Sequence, residues 1–211
     1  MISTRHARGV LAGSEDFDGN YGQFCRADVE TETAWFPVQT THTTNTSSET
    51  VSTIRFPMHP FLGIMDVTTA SNQRPSSIPP ADYGGNIDLR NLTVESTLFL
   101  PVQIEGAGLY IGNPHFTQGN GEVSLTALEA SLRATLRVQV VPTAEAKRLF
   151  GRTDLPFAIS HGTLIPMGFS STLDDALSQS VEHAIDMITA MFEMPRQQVY
   201  LLLSAAIDFD A

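Results

Sequence analysis

Residues 84–129 concentrate the side-chain types that hold a cation or orient a polar substrate. The stretch opens with Gly84-Gly85-Asn86-Ile87-Asp88 and passes through two apolar alternating segments. It then reaches Gly112-Asn113-Pro114-His115-Phe116-Thr117-Gln118-Gly119-Asn120-Gly121-Glu122. Asp88, His115 and Glu122 supply two carboxylates and an imidazole, the number and type of ligands used by catalytic zinc sites that keep one position open. His115 and Glu122 stand seven positions apart, so the chain must bend between them, and Gly119 and Gly121 permit the bend. Glu122 is read either as the third ligand or as the base that activates water. Glu129, interrupting a strand-like run, is the second candidate base. Asn86, Asn113, Gln118 and Asn120 are candidates for orienting a substrate. A structural reading stays open beside this one: Asp88 closing a turn, and Glu122 capping a strand or pairing with an arginine.

The order GGN-x-D, then Leu98-Phe99-Leu100-Pro101-Val102, then Glu105-Gly106-Ala107, then G-x-x-H-x-x-Q-G-x-G-E resembles the acetamidase/formamidase family of amide hydrolases. Further matches are Pro60-Phe61-Leu62-Gly63-Ile64 and Gly168-Phe169-Ser170, so the likeness covers about residues 50–207. The resemblance implies hydrolysis of a small aliphatic amide, formamide- or acetamide-like, by a metal-activated water, with release of ammonia and a short carboxylate. It also implies a β-sandwich-like core with a smaller α+β part. Two positions depart from the family pattern, which commonly has Asp where this chain has Asn113 and Asn120. Asparagine keeps a carbonyl oxygen but loses the charge, so it is a poorer zinc ligand and no general base. The alternative function is therefore a non-catalytic β-sandwich binding module or structural paralogue, holding no cation or only a structural Ca2+. Relatives carry more sequence at both ends, which implies a shortened member or one that completes its fold as a homo-oligomer, with a dimer favoured.

Other nucleophiles are poorly supported. Ser76-Ser77 and Ser170-Ser171 lack a helpfully spaced Lys, and no G-x-S-x-G is present. The single cysteine, Cys25, reads as a small buried hydrophobe. Residues 14–20 have the composition of a turn or loose calcium loop without the oxygen spacing of an EF-hand. His42 and His59 read as surface and turn residues, His183 as packing or surface, and His161 as a possible wall of the same pocket.

The rest of the chain must position these groups. Its 211 residues carry a net charge of −11 and 42% hydrophobic residues, which suits a globular protein and excludes a basic nucleic-acid or anionic-membrane surface. One cysteine allows no internal disulfide, and no run approaches the length of a membrane span; a cytoplasmic setting is expected. Extended segments are expected from near Thr50 to Phe56, in a short buried strand ending near Val67, and across 91–102, 104–111 and 132–140. Residues 71–83 read as a loop. Thr143 is expected to cap a short helix stopped at Gly151. Thr172 is expected to cap a longer one with an apolar stripe through Phe192. Pro195 suits the first turn of another through about Ser204, and 205–209 suggest a strand. The fold class is α+β, mainly β. Residues 1–141 form a mostly-β core carrying the site, and residues 142–211 form an α+β part with two helices, either separate or packed as one unit with the core.

Overall fold

The computed structural model describes residues 2–4, 26–28, 31–39, 51–123 and 125–210. The 14–20 segment, Cys25, His42 and the polar stretch 40–50 lie outside the described residues. The strands are β1 (Ile2–Thr4), β2 (Arg26–Asp28), β3 (Thr33–Gln39), β4 (Val51–Pro57), β5 (Phe61–Asp66) and β6 (Gly84–Asn86). They continue as β7 (Thr97–Phe99), β8 (Tyr110–Thr117), β9 (Leu128–Glu129), β10 (Leu132–Ala134), β11 (Phe157–Ser160) and β12 (Thr163–Pro166). The helices are α1 (Thr143–Phe150), α2 (Leu173–Phe192) and α3 (Arg196–Ala206). The strands form small antiparallel sheets ordered β6-β5-β8-β9, β12-β11-β7, β2-β3-β4 and β1-β10, so the protein is α+β and mainly β.

Two apolar clusters flank the β6-β5-β8-β9 sheet. Phe116 and Leu128 pack with Ala34 and Met58, while Phe61 packs with Leu92, Ala158 and Met167. Phe61 and Phe116 have no exposed surface, and burying such a ring stabilises the fold by roughly 1.5–3 kcal/mol. The Phe61 cluster ties residues before and after position 141 together, as does the pairing of β7 with β11. At that pairing Phe99 stacks on Phe157 at 4.3 Å, and Phe150 tilts against both, seating α1 on the sheet. Behind it, Ala184 and Ile185 of α2 pack with Val199 and Leu203 of α3.

The helix signals work out with two corrections: the part from residue 142 on carries three helices rather than two, and the first of them lacks its expected side-chain cap. The Asp175 amide donates to Thr172 Oγ1 at 3.2 Å and the Thr172 hydroxyl donates to Asp175 Oδ2 at 2.8 Å. That cap is worth roughly 0.5–2 kcal/mol. At α1, however, Pro142 occupies the cap and Thr143 is already helical, with no side-chain cap. Proline's fixed φ suits a helix entry without needing a hydroxyl. Gly151 closes α1 with φ 70°.

The strand expectations are overextended. Of 132–140, only Leu132–Ala134 is strand, because its ladder with β1 ends at the Ile2–Ala134 pair. Beyond it Leu136, Val138 and Val140 are 42%, 69% and 78% exposed. Alternation alone makes no strand without a neighbouring ladder. Of 91–102, only Thr97–Phe99 pairs; before it, turns with Leu92 N donating to Leu89 O and Ser96 N to Thr93 O interrupt the run. Residues 104–107 turn as well, so extended structure resumes only at Tyr110. Residues 205–209 form no strand; α3 continues to Ala206.

Candidate metal centre and adjoining cleft

The centre lies where β5, β8 and the turn after β6 meet. Asp88 follows β6 with φ 47°, and its amide donates to Gly63 O at 3.0 Å. Asn86 Nδ2 donates to the Asp88 carboxylate at Oδ2 at 2.5 Å, and Gln118 Nε2 donates to the Asp88 backbone carbonyl at 2.7 Å, so side chain and main chain are each held once. His115 is fully buried in β8, opposite Phe61 on β5 and Glu129 on β9. The Phe61 ring meets its imidazole edge-on, with centroids 4.9 Å apart. Between His115 and Thr117 the register advances two residues on β8 but one on β9, a bulge that turns Phe116 into the core. A turn with Glu122 N donating to Gly119 O, and φ of 76° and 41° at Gly121 and Glu122, then carries Glu122 back to Asp88.

The three residues thus offer ligand atoms that all lie within 4.8 Å of one another. Asp88 Oδ1 and both ring nitrogens of His115 are buried without a hydrogen-bond partner among the described residues. Leaving such atoms unmatched costs roughly 1–3 kcal/mol each. Two carboxylates and an imidazole converging, with Asp88 Oδ1 and the His115 nitrogens unmatched among the described residues, suit a divalent cation. His115 Nε2 is 3.2 Å from Glu129 Oε2, an ion-pair distance without hydrogen-bond alignment.

The charges in this pocket are strongly coupled. Burial lifts the Asp88 carboxyl above its ordinary value, with His115 opposing and Glu129 adding to the rise. Burial likewise raises Glu122, and the Asp88 and Glu129 carboxylates push it on to about 7. For His115, burial disfavours the charged form. Glu129, Asp88 and Glu122 together outweigh that and hold the imidazole above its usual range. Crowded carboxylates around one imidazole share protons when no metal neutralises them.

The remaining candidates separate clearly. Asn113, with φ 50°, directs Nδ2 to Glu129 Oε2 at 3.3 Å, and Glu129 Oε1 also accepts from the Ala127 amide at 3.3 Å. Asn86 and Gln118 touch Asp88, with Gln118 Oε1 buried and unpartnered among the described residues. Asn120 is exposed in the turn and joins none of these contacts. Gly63 was not singled out for the site, yet a Cβ there would strike both Asp88 Oδ1 and Asn113 Oδ1. A glycine inside an otherwise apolar strand was the available signal for that close approach.

Beside the centre lies a cleft of about 710 Å3 whose wall includes Gln118, Thr117, Arg90, His59, Thr93 and His161. His161 Nε2 is 3.2 Å from Thr93 Oγ1. His183, by contrast, is fully buried in α2 with Nδ1 3.1 Å from Met167 O, away from this cleft.

A mainly-β α+β scaffold carrying an Asp-His-Glu centre is the class that fold and site define. Residues 68–209 match the model of the Acetamidase/Formamidase family, and the chain belongs to that family. It is 46% identical over 48 residues to a formamidase of Methylophilus methylotrophus, covering 23% of this chain and 12% of that protein. It is 44% identical over 54 residues to an acetamidase of Mycolicibacterium smegmatis, covering 26% of this chain and 13% of that one. In fold it is similar to the acetamidase of Bacillus halodurans, with a TM-score of 0.68 at 19% identity, over 97% of this chain and 65% of that one. The acetamidase of Yersinia enterocolitica superposes with a TM-score of 0.60 at 20% identity, over 97% and 61%. The chain therefore spans less than two thirds of each of these structures, and the aligned segments about an eighth of each sequence relative.

Proposed function

We propose that this protein hydrolyses a small linear amide to a carboxylate and ammonia, with Asp88, His115 and Glu122 holding a divalent cation, zinc in the first instance. The observation that carries the reading is the set of converging ligand atoms with Asp88 Oδ1 and the His115 nitrogens unmatched. When bound, such a cation supplies a water of lowered pKa and polarises the amide carbonyl. Glu129 Oε2 lies 3.2 Å from His115 Nε2 and favours a charged or metal-bound imidazole electrostatically, while Asn113 Nδ2 holds Glu129 in turn. Glu122 serves either as the third ligand or, with the cation left to Asp88 and His115, as the base that accepts a proton from water and returns it to the departing nitrogen. Glu129 is the second candidate for that proton. Asn86 and Gln118 keep Asp88 in place, and the Gln118 carbonyl is available to an amide N–H. A cytoplasmic homo-oligomer belongs to the same reading. No helix of the described residues is long and apolar enough to cross a membrane.

The test is ammonia release from formamide and acetamide on protein of known metal content, before and after chelation. Release should vanish with chelator, return with zinc, and be abolished by His115→Ala. The second reading, a non-catalytic paralogue, is favoured by the uncharged Asn113 and Asn120. Folded protein that takes up no zinc and releases no ammonia would establish it instead.

A further inference from the structure

The cleft beside β8 has an electrostatic character unlike the rest of the chain. The protein carries 23 Asp and Glu against 12 Lys and Arg, yet among the described residues no Asp or Glu lines this cleft, while Arg90, His59 and His161 do. Arg90 is exposed and, like most arginines of the described residues, forms no ion pair; what sets it apart is its place on the wall of this cleft. A guanidinium left unpaired on a concave wall of an acidic protein presents a ready fork for a carboxylate from outside. Thr93 steadies His161 at 3.2 Å, so an imidazole is held on the same wall.

Two more observations connect the cleft to the centre. Gln118 lines the cleft while its amide nitrogen holds Asp88 O at 2.7 Å, so one side chain borders both. The volume of about 710 Å3 is also in the range that accommodates ligands far larger than formamide. An amide filling only the centre would leave this basic space unused.

We infer that the cleft receives an anionic group of the substrate, so that the amide hydrolysed is a linear one bearing a carboxylate at its far end, the monoamide of a dicarboxylic acid being the simplest. This assignment rests on the hydrolase reading of the neighbouring centre. The reaction is the same hydrolysis: water oxygen bonds to the acyl carbon, the C–N bond breaks, nitrogen leaves with one water proton as ammonia, and the second proton passes to that ammonia as the new carboxylate forms, leaving a dicarboxylate and ammonium. Arg90 pairs with the remote carboxylate, and His161 or His59 donates a further hydrogen bond to it.

The experiment measures binding and turnover separately on zinc-loaded protein. Calorimetry would compare succinamate, succinate and the neutral butanamide on wild type, Arg90→Met and Arg90→Lys, with ammonia release followed in parallel. Succinamate should bind roughly tenfold or more tightly than butanamide, as expected for a charge-assisted pair. The preference should disappear in Arg90→Met, recover in part in Arg90→Lys, and weaken with added salt. Equal binding of the two amides by wild type, or a preference that survives Arg90→Met, overturns the assignment. If the Arg90-dependent preference holds but no amide yields ammonia, the anion cleft stands and the hydrolase reading falls.

Discussion

Replacing Gly63 with alanine would put a methyl group into space now filled by the Asp88 and Asn113 side-chain oxygens. The backbone at Gly63 is not in the left-handed region, so alanine brings no dihedral strain and the perturbation is steric alone. Leu62 and Ile64 pair with Pro114 and Gly112, so Gly63 is fixed within a paired strand and cannot easily withdraw. The oxygens must yield instead, each by roughly 1 Å to regain van der Waals separation. Such overpacking costs about 1–3 kcal/mol of stability. Displacing Asp88 and its Asn113 neighbour should also weaken zinc binding by roughly 10- to 100-fold. Ammonia release at limiting substrate should drop by about 100-fold. Titration calorimetry of zinc into metal-stripped wild type and Gly63→Ala, with thermal unfolding of both, measures the two effects independently. Gly63→Ala protein that binds zinc as tightly as wild type and unfolds at the same temperature would refute the close-packed centre.

Two further outcomes follow from protonation. Glu122 is raised to about 7 in the folded chain, so the cation-free protein holds this proton more tightly than the unfolded chain does. Its contribution to stability is full below the ordinary glutamate value and is lost as pH climbs through about 7. Zinc must displace this proton and the one held by His115, so apparent affinity should fall by more than about tenfold per pH unit below that point, and Glu122→Gln should make the profile shallower without flattening it in a chelator competition assay. His183 behaves in the opposite sense: burial lowers its pKa, so the folded chain resists a proton that the unfolded chain accepts. Stability from this residue is present above the ordinary histidine value and is lost as pH falls below it, and His183→Gln should reduce the acid sensitivity seen in urea melts.

The chemistry was more legible in the sequence than the strands were. Asp88, His115 and Glu122 could be proposed because carboxylates, an imidazole and glycines crowd one stretch, and in the fold their ligand atoms converge. Helices announced themselves through local devices: Thr172 with Asp175, Gly151 at a stop, Pro195 at an entry. Strands depend on partners far along the chain. Leu136, Val138 and Val140 have the alternation of a buried strand but form no ladder among the described residues, which no local pattern reveals. For the same reason Glu129 could be noticed as a carboxylate but not as the residue of β9 that faces His115 on β8. Gly63 and Arg90 acquire meaning only from groups that approach them in space.

The left-handed backbone at Asp88, Asn113 and Glu122 bears on how this protein would respond to selection. Each non-glycine residue so held costs on the order of 1–2 kcal/mol. A library sorted for thermal resistance alone should therefore enrich glycine at these three positions and discard the cation centre within a few rounds. Sorting for zinc retention as well should preserve the strained residues and drive compensation into the exposed 135–140 segment and the outer faces of the helices. Three of the nine non-glycine residues so held among the described residues are thus ones that an engineer seeking a sturdier variant would have to leave alone.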